Sequence, residues 1–309
     1  PFSLKDIIAT RGIRTTNGSR IWQDWVPEGD ALCVARLKQA GAVLVGKNNL
    51  HEFAMGVTNI NPHYGKCHNP WHLAHVPGGS SGGSGAAVAA GMSFMSIGTD
   101  TGGSIRLPAS FCNLVGVKAT YGLVSRRGVF PLSWSLDHAG PLTRTVRDAA
   151  LSLQAIAGHP PAGRPAASGT ARDYLSTLED GVRGLRIGVP REGIFEYATE
   201  TVEAVVRQAI SLFADLGAQI HEVSLPHVHL ASAVAFGIIN PEAASIHGPW
   251  LHDRIHEYGD DCAAVILAGA LLPGTEYLRA QRIRALIRRE VAAVMSKVDV
   301  LVTPTVGIV

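Results

Sequence analysis

The sequence predicts an α/β fold with an extended, partly parallel sheet, and three observations predict it. Helical and strand-like segments alternate from end to end. The strand segments are short apolar runs that follow helices, as at 42–45 and 298–302. Hydrophobic residues make up 46% of the 309-residue chain and charged residues 17%, so an ordered core is expected rather than disorder.

Each element has its own reason. Residues 30–41 read as a helix, with Asp30 as cap, apolar Leu32, Ala35, Leu37 and Ala40, and Gly41 as stop. Strand 42–45 follows. Segment 84–90 is Ala-rich and helical, 93–97 a buried strand, and 104–112 a helix. Thr143 opens an amphipathic helix over 144–157. Residues 158–169, rich in Pro, Gly and Ala, form a surface loop within a single domain spanning 1–309. Strand 185–189 ends at Pro190, helix 201–216 and strand 219–223 follow, and an Arg-rich helix over 275–296 precedes the last strand.

Charge is almost balanced, 27 Lys plus Arg against 25 Asp plus Glu, and no basic run stands out, which argues against nucleic acid as a partner. Apolar stretches break well before about 18 residues, so no membrane span is expected. Residues 1–6 carry no signal peptide, and the chain does not begin with Met. The four cysteines form no CxxC pair, which predicts free thiols in a reducing, cytoplasmic setting and neither a zinc site nor a disulfide framework. His252 and His256 lie four apart, but Asp253 stands where a metalloprotease motif has Glu, so they read as a solvated helix face and not as metal ligands.

Glycine is unusual: 34 of 309 residues, many between Gly78 and Gly140. Residues 77–85 read PGGSSGGSG and 98–108 read GTDTGGSIRLP. A flexible linker is not expected between an Ala-rich helix and an apolar strand. A phosphate loop lacks GK[ST] and GxGxxG. A nucleophile site remains. Ser80 and Ser81 each sit in a formal GxSxG, but no strand precedes them as a hydrolase elbow requires. Ser104 follows two glycines and opens a helix, so the N–H groups of Thr101, Gly102, Gly103 and Ser104 converge on one oxygen beside its hydroxyl. The plain alternative for Ser104 is an N-cap. Spacing leaves the base open between His138 and other histidines and Lys5, a lysine in the strand-like segment 2–7.

These residues resemble the amidase signature family. The matching stretches are SLKD at 3–6, VGKNNLHEFAMG at 45–56, PGGSSGGSGAAVAAG at 77–91, GTDTGGSIRLPASFCNLVGVKATYGLVSRRGV at 98–129, SLDHAGPLTRTVRD at 135–148 and DVLVTPT at 299–305. The resemblance implies a single large, mixed but mostly parallel twisted sheet with helices on both faces. It implies a Ser–cis-Ser–Lys triad: Ser104 the nucleophile, Ser80 the bridging serine, Lys5 the base. Thr101, Gly102 and Gly103 resemble the oxyanion hole, and Ser81, Asp100 and Arg106 the supporting residues. Neutral Lys5 would take a proton from Ser80, and Ser80 one from Ser104, which attacks the carbonyl to give an acyl-enzyme. No cofactor is implied. Lys47 is expected to be structural or at the pocket rim.

Two departures stand out. Where the family has TNMDEF this chain has NNLHEF, so His51 replaces an acid. Leu107 stands where amidotransferase members tend to have Gln. The family also has a helical segment before Lys5 and more chain after Thr305, so the sequence reads as truncated at both ends, which would leave Lys5 wetter. The expected activity is hydrolysis of linear carboxamides, with anilides, esters or carbamates as further substrates. The alternative is the amidase subunit of a glutamine-dependent amidotransferase, and Leu107 argues against it. The expected partner is a small-molecule amide in an apolar pocket, without nucleic acid or membrane; oligomeric state is open, a homodimer included.

Overall fold

The computed structural model describes residues 1–158 and 173–309. In chain order its elements are β1 (Phe2–Lys5), α1 (Leu32–Gln39), β2 (Leu44–Asn48), β3 (Ile60–Asn61), β4 (Gly65–Lys66), α2 (Gly82–Ala89), β5 (Met95–Asp100), α3 (Arg106–Phe111), β6 (Val115–Gly116), β7 (His138–Thr143), α4 (Val146–Ile156), β8 (Arg186–Pro190), α5 (Glu200–Asp215), β9 (Gln219–Val223), α6 (Ala231–Leu251), α7 (Asp260–Ala270), α8 (Gly274–Met295) and β10 (Val300–Leu301). Past Gly158, the loop expected over 158–169 lies outside the described residues until 173. The chain forms two compact units, Pro1–Thr177 with Ile239–Leu271 and Leu178–Ile238 with Leu272–Val309.

The first unit holds a five-stranded sheet in the order β2-β1-β5-β7-β6. β1 runs parallel to β2 and β5, while β7 runs antiparallel to both β5 and β6. The expected large, mostly parallel sheet is therefore corrected: the sheets are small and mixed. The reason is the connection after β6, which returns the chain as β7 against the far edge of β5 in the opposite direction. β1 is buried along its whole length, with Phe2, Leu4 and Lys5 each 0% exposed, as a central strand covered on both faces must be. Ile97 of β5 and Leu142 of β7 are also at 0%. β3 and β4 form a separate antiparallel pair.

The second unit holds the three-stranded parallel sheet β10-β8-β9. Val189, Phe195 and Ile210 make its core, with Val206 and Val302 packed against them.

Several helix starts differ from the sequence expectation. Asp30 does not cap α1; Ala31 holds that position, and Asp30 instead accepts the Arg11 N–H at 2.9 Å and pairs with Lys38 at 2.8 Å. Thr145, not Thr143, caps α4 by accepting the Asp148 N–H at 3.1 Å. α3 begins at Arg106, two residues after Ser104, because Gly103 takes φ +143°, a conformation closed to other residues, and the chain enters the helix only beyond it. His252 lies past the end of α6, and His256 in a separate short turn, so the two do not share a helix face. Among the described residues no single helix is long and apolar enough to cross a membrane. All four cysteines are free thiols.

Candidate active site

The sheet delivers Lys5 into the interior. It ends β1, opposite Asn48 of β2, and is fully buried. Its Nζ donates to Ser80 Oγ at 2.7 Å and to Thr99 Oγ1 at 2.8 Å. Burial disfavours an ammonium with so little water around it and pushes the Lys5 pKa down to about 7, against the opposing charges of Asp100 and Asp137. The expectation of a wetter Lys5 is therefore corrected.

Ser80 sits in the turn before α2, and the Gly79–Ser80 peptide bond is cis. Its carbonyl accepts the His51 N–H at 3.1 Å. Ser81 fastens this turn to β5: its Oγ donates to the Thr99 carbonyl at 3.1 Å and accepts the Thr99 N–H at 3.2 Å. The Ser81 N–H donates to the Ser104 carbonyl at 3.3 Å, which brings the two serine blocks together. Ser104 is buried, at 8% exposure.

Asp100 organises the loop that carries Ser104. It is fully buried and accepts the N–H groups of Gly103 at 2.9 Å, Ile105 at 3.2 Å and Arg106 at 3.3 Å, doing what a helix cap does for the start of α3. Arg106 grips it through two nitrogens, each at 2.9 Å, and Lys118 Nζ lies at 2.9 Å. Burial works to raise this carboxyl, but the Arg106 hydrogen bonds and the Lys118 and Arg106 charges outweigh it and hold the group well below the usual carboxylate range. Of the expected oxyanion donors, the Gly103 N–H is thus engaged by Asp100. Thr101 is held from two sides: its Oγ1 donates to Asp137 at 2.6 Å, and its carbonyl accepts Lys118 Nζ at 2.8 Å. Gly102 is exposed.

Sequence reasoning misses three residues of this network: Thr99, Lys118 and Asp137. Asp137 lies within the SLDH stretch and Lys118 within VGVKAT, so both stand inside family motifs. Thr99 stands likewise inside the GTDTGGS stretch. Burial raises the Asp137 carboxyl against the Thr101, Leu132 and Ser133 hydrogen bonds it accepts. Lys47 is structural, donating to the Ile8 carbonyl at 2.9 Å and Thr15 Oγ1 at 2.7 Å and pairing with Asp6 at 2.9 Å. The His138 ring meets the Leu136 carbonyl at 2.7 Å.

A buried lysine hydrogen-bonded to one serine of two paired Ser–Gly blocks is the arrangement that the resemblance to the amidase signature class leads one to expect. The family model described as Amidase matches residues 1–308, and the chain belongs to that family. It is 47% identical over 334 residues to the A subunit of the glutamyl-tRNA(Gln) amidotransferase of Anaeromyxobacter sp. (strain K), covering 99% of this chain and 68% of that protein. The crystal structure of the corresponding A subunit from Thermotoga maritima superposes with a TM-score of 0.88 at 39% identity, covering 100% of this chain and 68% of that one. A structure described as a vestigial protein complex revealing the origins of an s-triazine catabolic enzyme superposes with a TM-score of 0.94 at 37% identity, covering 99% of this chain and 66% of that one. The chain thus spans about two thirds of the length of these relatives.

These relatives overturn one expectation. Two of them belong to an enzyme named for a tRNA, so a chain with a small-molecule amide as its sole partner, no nucleic acid and at most a second copy of itself is not what the comparison supports. Leu107 also weighs less than expected against the amidotransferase alternative, since one position counts for less than 47% identity over the whole chain.

Proposed function

We propose that this chain is the amidase subunit of a glutamine-dependent amidotransferase that works on glutamyl-tRNA(Gln), in company with partner subunits. In this reading Ser104 attacks the glutamine carboxamide, Ser80 takes its proton, and Lys5 takes the proton of Ser80. The N–H groups of Thr101, Gly102 and Ser104 face the developing oxyanion. The relay returns a proton to the departing nitrogen, ammonia leaves, and water releases glutamate from the acyl-enzyme. The freed ammonia is the group passed to the acceptor. Asp100, with Arg106, and Ser81 hold the two loops.

The observation that carries this reading is the 2.7 Å contact between Lys5 Nζ and Ser80 Oγ, made by a lysine whose pKa burial has brought to about 7. Such an amine is partly neutral at physiological pH and able to accept a proton. The choice of glutamine and tRNA rests on the relatives' names. Leu107, which packs over Gly103, supports a second reading, hydrolysis of other linear carboxamides.

The test measures ammonia release from L-glutamine by the full chain, alone and with its partner subunits, beside a panel of aliphatic amides and anilides. Glutaminase activity that disappears in Ser104→Ala supports the first reading. Turnover of the panel with none of glutamine in either form selects the second. Undiminished activity in Ser104→Ala refutes both.

A further inference from the structure

The turn that holds Ser80 is fastened to α7 by a histidine–carboxylate pair that the chemistry above does not use. His51 is buried, at 3% exposure, and its Nε2 lies 2.8 Å from Asp261 Oδ2 in the first turn of α7. The N–H of the same residue donates to the Ser80 carbonyl at 3.1 Å. One residue on, the fully buried Glu52 accepts the Gly259 N–H at 2.7 Å, just before α7, and meets His63 Nε2 at 3.0 Å. The 51–52 segment is therefore bonded to the Ser80 turn on one side and to the start of α7 on the other.

The packing leaves this segment little freedom. The His51 ring fills the space over Gly56, where an added Cβ would lie 2.3 Å from it. A second backbone bond, Gly83 N–H to the Asn49 carbonyl at 3.2 Å, runs beside the first. Residues 49–51 and 80–83 are thus held together at two points, and a displacement of His51 carries the Ser80 carbonyl with it.

The ring's chemistry suits a fixed tether. Nδ1 is buried with no hydrogen-bond partner. A neutral ring with its proton on Nε2 donates to Asp261 and leaves only a bare lone pair at Nδ1. A donor to a carboxylate makes one of the stronger hydrogen bonds available, and an acid in the first turn of a helix is favoured there.

We propose that His51 is a positioning residue: anchored by Asp261, it holds the Ser80 carbonyl and so sets the Ser80 hydroxyl against Lys5. The proposal rests on the reading of Ser80 as the proton bridge. It assigns to a residue at the foot of α7, outside both serine blocks, a share in setting the reactivity of Ser104.

The test follows the rate at which a fluorophosphonate labels Ser104 in the full chain, with the melting midpoint measured on each variant. His51→Asp sets two carboxylates face to face and lowers the labelling rate about tenfold; Asp261→Lys in that background restores it by supplying a cation opposite the new acid. His51→Gln, whose amide N–H can serve as the donor, stays within about twofold of the unaltered protein. An unchanged rate in His51→Asp, or a loss that Asp261→Lys leaves unrepaired in a folded protein, overturns the proposal. Should His51→Asp fail to fold, Asp261→Ala on the exposed side of the pair decides: labelling at the unaltered rate overturns it, and a loss with the melting midpoint unchanged upholds it. Ser80→Ala separates the two levels. Loss of labelling there with none in Asp261→Ala overturns the tether alone, whereas full labelling in Ser80→Ala overturns the reading of Ser80.

Discussion

Replacing Lys5 by methionine is expected to stabilise the protein at neutral pH while abolishing its chemistry, and the stability gap is expected to reverse at high pH. The Lys5 pKa falls from 10.5 to about 7 through burial. A fall of that size corresponds to a folding penalty of about 5 kcal/mol when both folded and unfolded chains carry the proton. At pH 7 the folded lysine is about half neutral and the penalty is about 4 kcal/mol. Between pH 7 and 10.5 the unfolded chain binds more protons than the folded one, so stability of the unaltered protein rises with pH, and by 10.5 the penalty has all but vanished. The thioether of Lys5→Met carries no charge and shows none of this dependence. It does leave Ser80 Oγ and Thr99 Oγ1 without a donor, which costs about 2 kcal/mol in all. The variant is therefore more stable by about 2 kcal/mol at pH 7, level with the unaltered protein near pH 9, and less stable by about 2 kcal/mol at pH 10.5. Lys47 and Lys118 are also lowered by burial, but they are present in both proteins and cancel in the difference. Urea denaturation at pH 6, 7, 9 and 10.5 reads the gap, and fluorophosphonate labelling reads the chemistry. A gap that stays constant over that range would falsify the claim that Lys5 is desolvated in the folded state.

Three further outcomes are expected. The rate of Ser104 labelling rises with pH through about 7 as Lys5 loses its proton, and Asp137→Asn, which removes one of the two negative charges opposing that loss, moves the midpoint to lower pH; a midpoint that moves up refutes the electrostatic account. Asp100→Asn leaves Arg106 and Lys118 without their buried counter-charge and disturbs the three N–H groups it accepts, costing about 3–5 kcal/mol in urea denaturation, and a loss below about 1 kcal/mol argues against its organising role. Gly83→Ala would set a Cβ 2.4 Å from the Asn49 carbonyl oxygen, so a loss of about 1–3 kcal/mol in thermal unfolding is expected, together with slower labelling as the Ser80 turn shifts.

Long amphipathic elements are legible in the sequence because their periodicity survives any tertiary context. Strand 219–223 matches β9 at both ends, and helices 201–216 and 275–296 each shift by one residue into α5 and α8. β7 is not legible: Gly140 and Pro141 at its centre read as a turn, yet the strand pairs with β5 on one side and β6 on the other. α6 is hidden by Pro241 and Pro249 inside it. The caps slip for a related reason. Asp30 and Thr143 are good cap residues by type, but Asp30 finds a lysine and a backbone N–H, and the Thr143 hydroxyl donates to the Thr145 carbonyl. In the site, the Ser–Gly blocks single out Ser104, which follows two glycines, whereas Ser80, Ser81 and Asp100 take their roles only from the resemblance. Lys5 does not announce itself, since a lysine beside apolar residues is ordinarily a surface lysine. Its link to Ser80 spans 75 residues of sequence and depends on where β1 lies in the sheet.

The glycines that stand out in the sequence do a different job from the one their flexibility suggests. At Gly79 an added Cβ would lie 2.8 Å from the Val57 backbone, and at Gly98 it would lie 2.8 Å from Ser81 Oγ. These positions are not loose; they are places where one segment runs against another with no room for a methyl group. Bare backbone lets the 49–59 segment, the 79–83 turn and β5 close on one another, and the region they enclose contains the end of β1. Close approach of three segments is what leaves the Lys5 amine bonded to two hydroxyls and shut off from solvent, and that desolvation is what lets the amine be neutral and accept a proton near neutral pH. The close approaches at Gly79 and Gly98 and the lowered Lys5 pKa thus belong to one packing arrangement. A side chain added at Gly98 should therefore act on Ser104 by letting water reach Lys5: the midpoint of the labelling profile rises toward the ordinary lysine range, where a simple loss of fold would lower the rate at every pH and leave the midpoint near 7.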